Sequence, residues 1–127
     1  MKAPSDALAT VERFNKAFNR HDVAAAMALM TDDCLFENTR SAPDGLRLEG
    51  SAAVRAYWEE VSRVSPQAHF TTEEIVAAGD RCVVRWTYSW VKEGTLGRVR
   101  GFDLFRVCHG RVAERPLYVK ALGRDGA

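Results

Sequence analysis

From residue 67 onward the chain reads as almost uninterrupted β-strand. Four long stretches near 67–77, 81–91, 98–108 and 111–119 are broken only by Gly79-Asp80, by Glu93 to Gly97 and by His109-Gly110. Three hairpins in a row make an antiparallel meander, and a long twisted sheet must cover one of its faces. The first half of the chain supplies the cover. Ser5 caps a helix with Asp6 in its first turn, and Ala7, Val11, Phe14 and Phe18 recur at helical spacing. Asp22 caps a second helix whose apolar stripe is Val23, Ala26, Met27 and Met30, with Asp32-Asp33 closing it before a strand at Cys34–Asn38. A loop holding Pro43-Asp44-Gly45 follows. Gly50-Ser51 then opens a third helix, with Val54, Tyr57, Trp58 and Val61 on one side and Ser65-Pro66 at its end. Two or three helices followed by a meander predict an α+β fold, with the helices able to pack on one concave face of an antiparallel sheet, as one domain over 1–127.

The second long strand separates cleanly by parity. Cys82, Val84, Trp86, Tyr88 and Trp90 share one face, and Arg81, Val83, Arg85, Thr87 and Ser89 the other. In the third strand the same parity places Asp103 on an apolar face with Val99, Gly101, Phe105 and Val107. Burying a carboxylate costs several kcal/mol unless a partner or a proton compensates, so such a residue serves a structural pair or chemistry. The partner depends on the turn at Cys108-His109-Gly110. A three-residue loop sets Asp103 opposite Arg115; a two-residue turn sets it opposite Pro116 and turns Arg115 outward. The three-residue loop is the expectation. With Arg115 alongside, the carboxylate is favoured; with Arg115 turned away, desolvation favours the neutral acid.

Composition narrows the function. Lys and Arg number 18 against 17 Asp and Glu, so the formal charge is +1, which argues against a nucleic-acid or membrane partner. The three cysteines, Cys34, Cys82 and Cys108, are odd in number and widely spaced, fitting neither a disulfide framework nor a metal cluster, and a reducing cytoplasm suits them. The beginning of the chain lacks the apolar core of a signal peptide, and no stretch reaches membrane-spanning length. No spacing of His, Asp and Glu recommends a metal. His21 is expected in an interhelical turn, His109 at a hairpin tip, and His69 in a structural role with its facing open.

The order of two helices, Asp-Asp-x-x-Phe-Glu-Asn, Gly-x-x-Ala-Val-x-x-Tyr-Trp and a meander ending Gly-Arg-Val-Ala-Glu resembles the SnoaL-like branch of the superfamily of nuclear transport factor 2 and ketosteroid isomerase. The resemblance spans nearly the whole chain. It implies a curved antiparallel sheet wrapped by three helices into a cone whose mouth admits an apolar ligand, and pairing of two copies through the outer sheet face, where Phe102 and Leu104 are expected. It also tests the family's chemistry position by position. The isomerase general base corresponds to Asn38, which cannot abstract a proton; its helix-one Tyr corresponds to Phe14, and its third-strand Asp to Asp103. The cyclase acid-base Asp corresponds to Leu117 and the cyclase His to Arg115. The two acids of the limonene-epoxide hydrolases are supplied neither by Leu117 nor by the Thr87/Ser89 region. Steroid isomerase activity is therefore not expected.

What remains is a cavity for a small apolar or aromatic molecule, with no cofactor. Phe14, Phe18, Met30, Phe36, Trp58, Val84, Trp86, Tyr88, Trp90, Phe105 and Leu117 are expected to line it, with Asp103, Asn38 and Arg115 at its polar end. The expected activities are cofactor-independent isomerisation, cyclisation or dehydration, with ligand binding without turnover and protein interaction through the outer sheet face as the alternatives.

Overall fold

The computed structural model describes residues 4–39 and 45–120; the side chains of residues 4–6, on which the expected Ser5 cap rests, and the Pro43-Asp44 part of the loop lie outside what it describes. The elements are α1 (Pro4–Asn19), α2 (Val23–Ala28), β1 (Met30–Asn38), β2 (Leu46–Glu49), α3 (Ser51–Val64), β3 (His69–Ala78), β4 (Arg81–Lys92), β5 (Thr95–Cys108) and β6 (Arg111–Val119). The strands form one curved sheet in the order β2-β1-β6-β5-β4-β3. The sheet is mixed rather than wholly antiparallel, because β1 runs parallel to β6. The fold is α+β, with the helices against the concave face, α1 over β3 and α3 over β1 and β2.

Two local expectations give way. Met30 and Asp32-Asp33 belong to β1, not to α2, which stops at Ala28 after six residues. Pairing wins there: Val112 N–H donates to Leu29 O at 2.7 Å and Met30 aligns with Val112, so the chain is drawn into the sheet at once. The stretch after Pro43-Asp44-Gly45 is not all loop, since Leu46–Glu49 alternates Leu-Arg-Leu-Glu and adds an edge strand to β1. Asp22 does cap α2, its Oδ1 accepting from Ala25 N at 3.0 Å.

The core lies between helices and sheet, with Val11, Phe14, Val54, Trp58, Cys34, Phe36, Cys82, Val84, Trp86, Phe105 and Val112 buried. Fully burying an aliphatic or aromatic side chain of this kind stabilises by about 1.5–3 kcal/mol, an upper estimate. Burial also pushes the Cys34 thiol up and the Cys82 thiol to about 11, as expected of small apolar occupants. His21 sits in the interhelical turn, where its Nε2 lies 2.8 Å from Ala68 O and its Nδ1 3.1 Å from Ser62 Oγ. That ring fastens the α1–α2 corner to the end of α3. Among the described residues no helix is long and apolar enough to cross a membrane.

Candidate functional site

The parity of β4 and β5 brings the aromatic stripe and Asp103 to the same concave face. Val84 aligns with Asp103, Trp86 with Gly101 and Trp90 with Gly97. The two glycines are seats for indoles: a Cβ at Gly97 would run into the Trp90 ring, and one at Gly101 into Trp86 and the Tyr118 carbonyl oxygen. The rings therefore lie across the sheet, and the concave face stays hollow between Val99 and the helices.

The β5–β6 turn corrects the expected register. His109 and Gly110 both have positive φ, 53° and 75°, and Cys108 aligns with Arg111, so the turn has two residues, not three. A bulge restores what the shorter turn would have lost. Val107 aligns with Val112 but Arg106 with Glu114, leaving Ala113 as the extra residue and shifting the rest of β6 by one. Asp103 thus faces Leu117, and Arg115 stays on the concave face, diagonal to Asp103.

The pair is deeply buried, Asp103 and Arg115 each 1% exposed. Arg115 donates to Asp103 Oδ2 from Nε at 3.3 Å, and its Nη2 lies 3.3 Å from the same oxygen. Among the described residues Asp103 Oδ1, Arg115 Nη1 and Trp86 Nε1 have no hydrogen-bond partner. Six aromatic rings surround the guanidinium, the nearest being Phe18 at 4.6 Å and Phe70 at 5.2 Å from Cζ. Such ring faces attract a desolvated cation and offset part of its burial cost.

Burial pushes the Asp103 carboxyl above its ordinary value of 3.8, and the Arg115 charge and hydrogen bond pull it back only in part. The Trp86 indole N–H also favours the carboxylate, although it falls short of a hydrogen bond. A raised acid contributes stability that is present below 3.8 and lost as pH climbs through the raised value. The melting temperature of the wild type relative to Asp103→Asn should therefore fall as pH rises through that window. A gap that grows with pH instead would mean that Arg115 outweighs burial.

Above the pair lies a cavity of about 390 Å³, lined by Phe18, Phe36, Asn38, Tyr57, Trp58, Val61, Phe70, Trp86, Tyr88, Val99, Arg115, Leu117 and Val119. Of the expected lining, Phe18, Phe36, Trp58, Trp86, Tyr88 and Leu117 stand in this wall, with Asn38 and Arg115 as polar members. Phe14, Met30, Val84 and Phe105 do not; they are buried in the core. Trp90 is also outside the lining, packed beyond Tyr88 at 5.7 Å between ring centroids. Asp103 does not line the cavity either, and it acts on the space only through Arg115.

Tyr57, Val61, Phe70, Val99 and Val119 were missed. Tyr57 and Val61 stood on the apolar side of the third helix, whereas the facing of Phe70 depends on the β3–β4 register, with Phe70 aligned to Tyr88. Phe70 is also held to α1 by a reciprocal pair: Asn19 Nδ2 donates to Phe70 O at 2.8 Å and Phe70 N–H donates to Asn19 Oδ1 at 2.9 Å. His69, one residue away, is exposed, as is His109. Among the described residues no group of three His, Cys, Asp or Glu could hold a metal ion.

The mixed, curved six-stranded sheet closed by three helices is the fold of the nuclear transport factor 2-like α+β proteins. Within that class the chain belongs to the SnoaL-like domain family, whose model matches residues 11–115. A nuclear transport factor 2-like protein of unknown function from Mesorhizobium loti is 36% identical, with a TM-score of 0.81 over 95% of this chain and 96% of that one. An LEH-like epoxide hydrolase of M. tuberculosis is 19% identical, with a TM-score of 0.80 over 91% of this chain and 84% of that one. A protein with the ketosteroid isomerase-like fold from Catenulispora acidiphila, in complex with trimethylamine, is 17% identical, with a TM-score of 0.76 over 86% of this chain and 83% of that one. The last two share the fold; their activities and ligands are their own. No curated protein matches this chain.

Proposed function

We propose that this protein binds a small apolar or aromatic molecule in the concave cavity, with the polar end of the ligand turned toward Arg115 and Asn38. The observation that carries the reading is the cavity itself. About 390 Å³ of space has mostly aromatic walls and a buried guanidinium in them, a size and polarity suited to a small-molecule site. The binding of trimethylamine by a relative of the same fold supports the use of this architecture for small ligands. Asp103 serves by holding Arg115 in place. The catalytic version of the reading is isomerisation, cyclisation or dehydration without a cofactor, and it assigns to Arg115 Nη1 the role of donor to an oxygen that gains negative charge.

Two further assignments go with it. The outer sheet face exposes Phe102 and Tyr118, stacked at 5.0 Å, beside Val76 and Val83, and it carries both signs of charge in Glu73, Glu74, Arg85 and Arg100. A second copy of the chain suits such a mixed surface, and the three free cysteines suit the cytoplasm. Native mass spectrometry of the purified protein should show a homodimer carrying a small organic molecule in each protomer. Protein of bare mass whose tryptophan fluorescence responds to no aromatic probe would overturn the reading.

A further inference from the structure

Arg115 is engaged by Asp103 along one edge only. Nε and Nη2 lie on the same side of a guanidinium, and both meet Asp103 Oδ2, so the carboxylate takes that side edge. The remaining edge is formed by Nη1 and the second N–H of Nη2, and it is directed away from Asp103. Nη1 has no partner among the described residues, although Arg115 is 1% exposed and forms part of the cavity wall. The internal pair is also incompletely made. Its two contacts, each 3.3 Å, converge on one oxygen, whereas charge-assisted N–H···O bonds run about 2.7–2.9 Å and a well-matched pair uses two oxygens.

We infer that the cavity selects a planar aromatic ligand bearing a carboxylate, which docks in bidentate fashion on the Nη1/Nη2 edge of Arg115 with its ring among Phe18, Phe70 and Trp58. This rests on the reading of the cavity as a ligand site and names the class of ligand it takes. The planar fork of arginine matches a carboxylate in geometry as well as charge, which a single neutral carbonyl cannot do. A cationic ligand is disfavoured for a local reason: the place among the rings that a ligand cation would seek is taken by the guanidinium, 4.6 Å from the Phe18 centroid and 5.6 Å from that of Trp58. Phe18 and Phe70 are half-buried and line the cavity, so they are the rings that must part for the ligand to reach Nη1.

Calorimetric titration of the wild-type protein with naphthoate, naphthamide and naphthylmethylamine tests this. Naphthoate should bind one-to-one and roughly ten- to a hundredfold more tightly than naphthamide, with the amine weakest. Arg115→Met should reduce the preference for naphthoate over naphthamide to about one, naphthoate losing more affinity than naphthamide. Equal binding of naphthoate and naphthamide by the wild type, or tighter binding of the amine, overturns the carboxylate assignment and leaves the cavity as an aromatic-ligand site. Binding of none of the three overturns the reading of the cavity as well. Should Arg115→Met fail to fold, the wild-type complex still tests the inference: the naphthoate ring protons next to the carboxylate should show intermolecular nuclear Overhauser contacts to the ring protons of Phe18 and Phe70; a naphthoate oriented with its carboxylate away from those rings would also contradict the inference.

Discussion

Asp103→Ala should cost roughly 3–5 kcal/mol of folding stability, the range for breaking a buried ion pair by removing one partner. In a domain of this size that lowers the melting temperature by roughly 10–20 °C. The cost is large because of what stays behind. The Arg115 guanidinium is left at 1% exposure without its carboxylate, compensated only by the surrounding rings. Removing the other partner is different. In Arg115→Met the stranded Asp103 can take up a proton, a change burial already favours, so its loss should be smaller near pH 5 and grow toward pH 8. Urea unfolding of both variants at several pH values measures this asymmetry. An Asp103→Ala loss within about 0.5 kcal/mol of wild type would show that the pair is not buried as described.

Trp58→Ala should be of similar size, roughly 3–5 kcal/mol, for an unrelated reason. Trp58 is 2% exposed and joins the helical layer to the sheet layer through Phe14 at 5.7 Å, Phe18 at 5.0 Å and Phe36 at 5.3 Å between ring centroids. Its indole also lies over the Arg115 guanidinium at 5.6 Å. Truncation removes transfer energy and leaves a void continuous with the cavity, which the rings around it cannot collapse to fill. Denaturant midpoints at unchanged m-value are the measurement. A loss below about 1 kcal/mol would mean that α3 is not packed on the sheet in this way.

Much of this was legible in the chain. Parity along Cys82–Trp90 and Val99–Val107 placed the aromatic stripe and Asp103 on one face, because a strand buried on one side permits only one register of its side chains. The burial of the acid and the inward facing of Arg115 were read correctly, but the second for the wrong reason. The turn is the two-residue kind, and the bulge at Ala113 restores the parity. Nothing in Val112-Ala113-Glu114 signals a bulge locally; it is decided by β1, whose parallel pairing draws Phe36 beside Arg115 and Asn38 beside Leu117. Parallel pairing of segments 79 residues apart has no local sequence mark.

The cavity wall was half legible for a related reason. Residues on β4 follow from alternation, whereas Tyr57, Phe70 and Val119 enter the wall only once the helices and the sheet ends are placed. Phe14 and Phe105, equally apolar and on the right faces, fall below it into packed core because Arg115 occupies the level above them, its Cζ 5.4 Å and 5.7 Å from their ring centroids. One available signal went unread. Gly97 and Gly101 stand four apart on β5, each opposite a tryptophan of β4, and a glycine facing an indole across strands marks a ring laid over the sheet.

The buried pair organises both the fold and the cavity, and a double-mutant cycle of Asp103→Ala and Arg115→Met reads its coupling most directly. The prediction is that the double variant is more stable than the sum of the single losses allows, by roughly 2–3 kcal/mol, because neither charge is then left alone in the interior. Losses that simply add, to within about 0.5 kcal/mol, would contradict it.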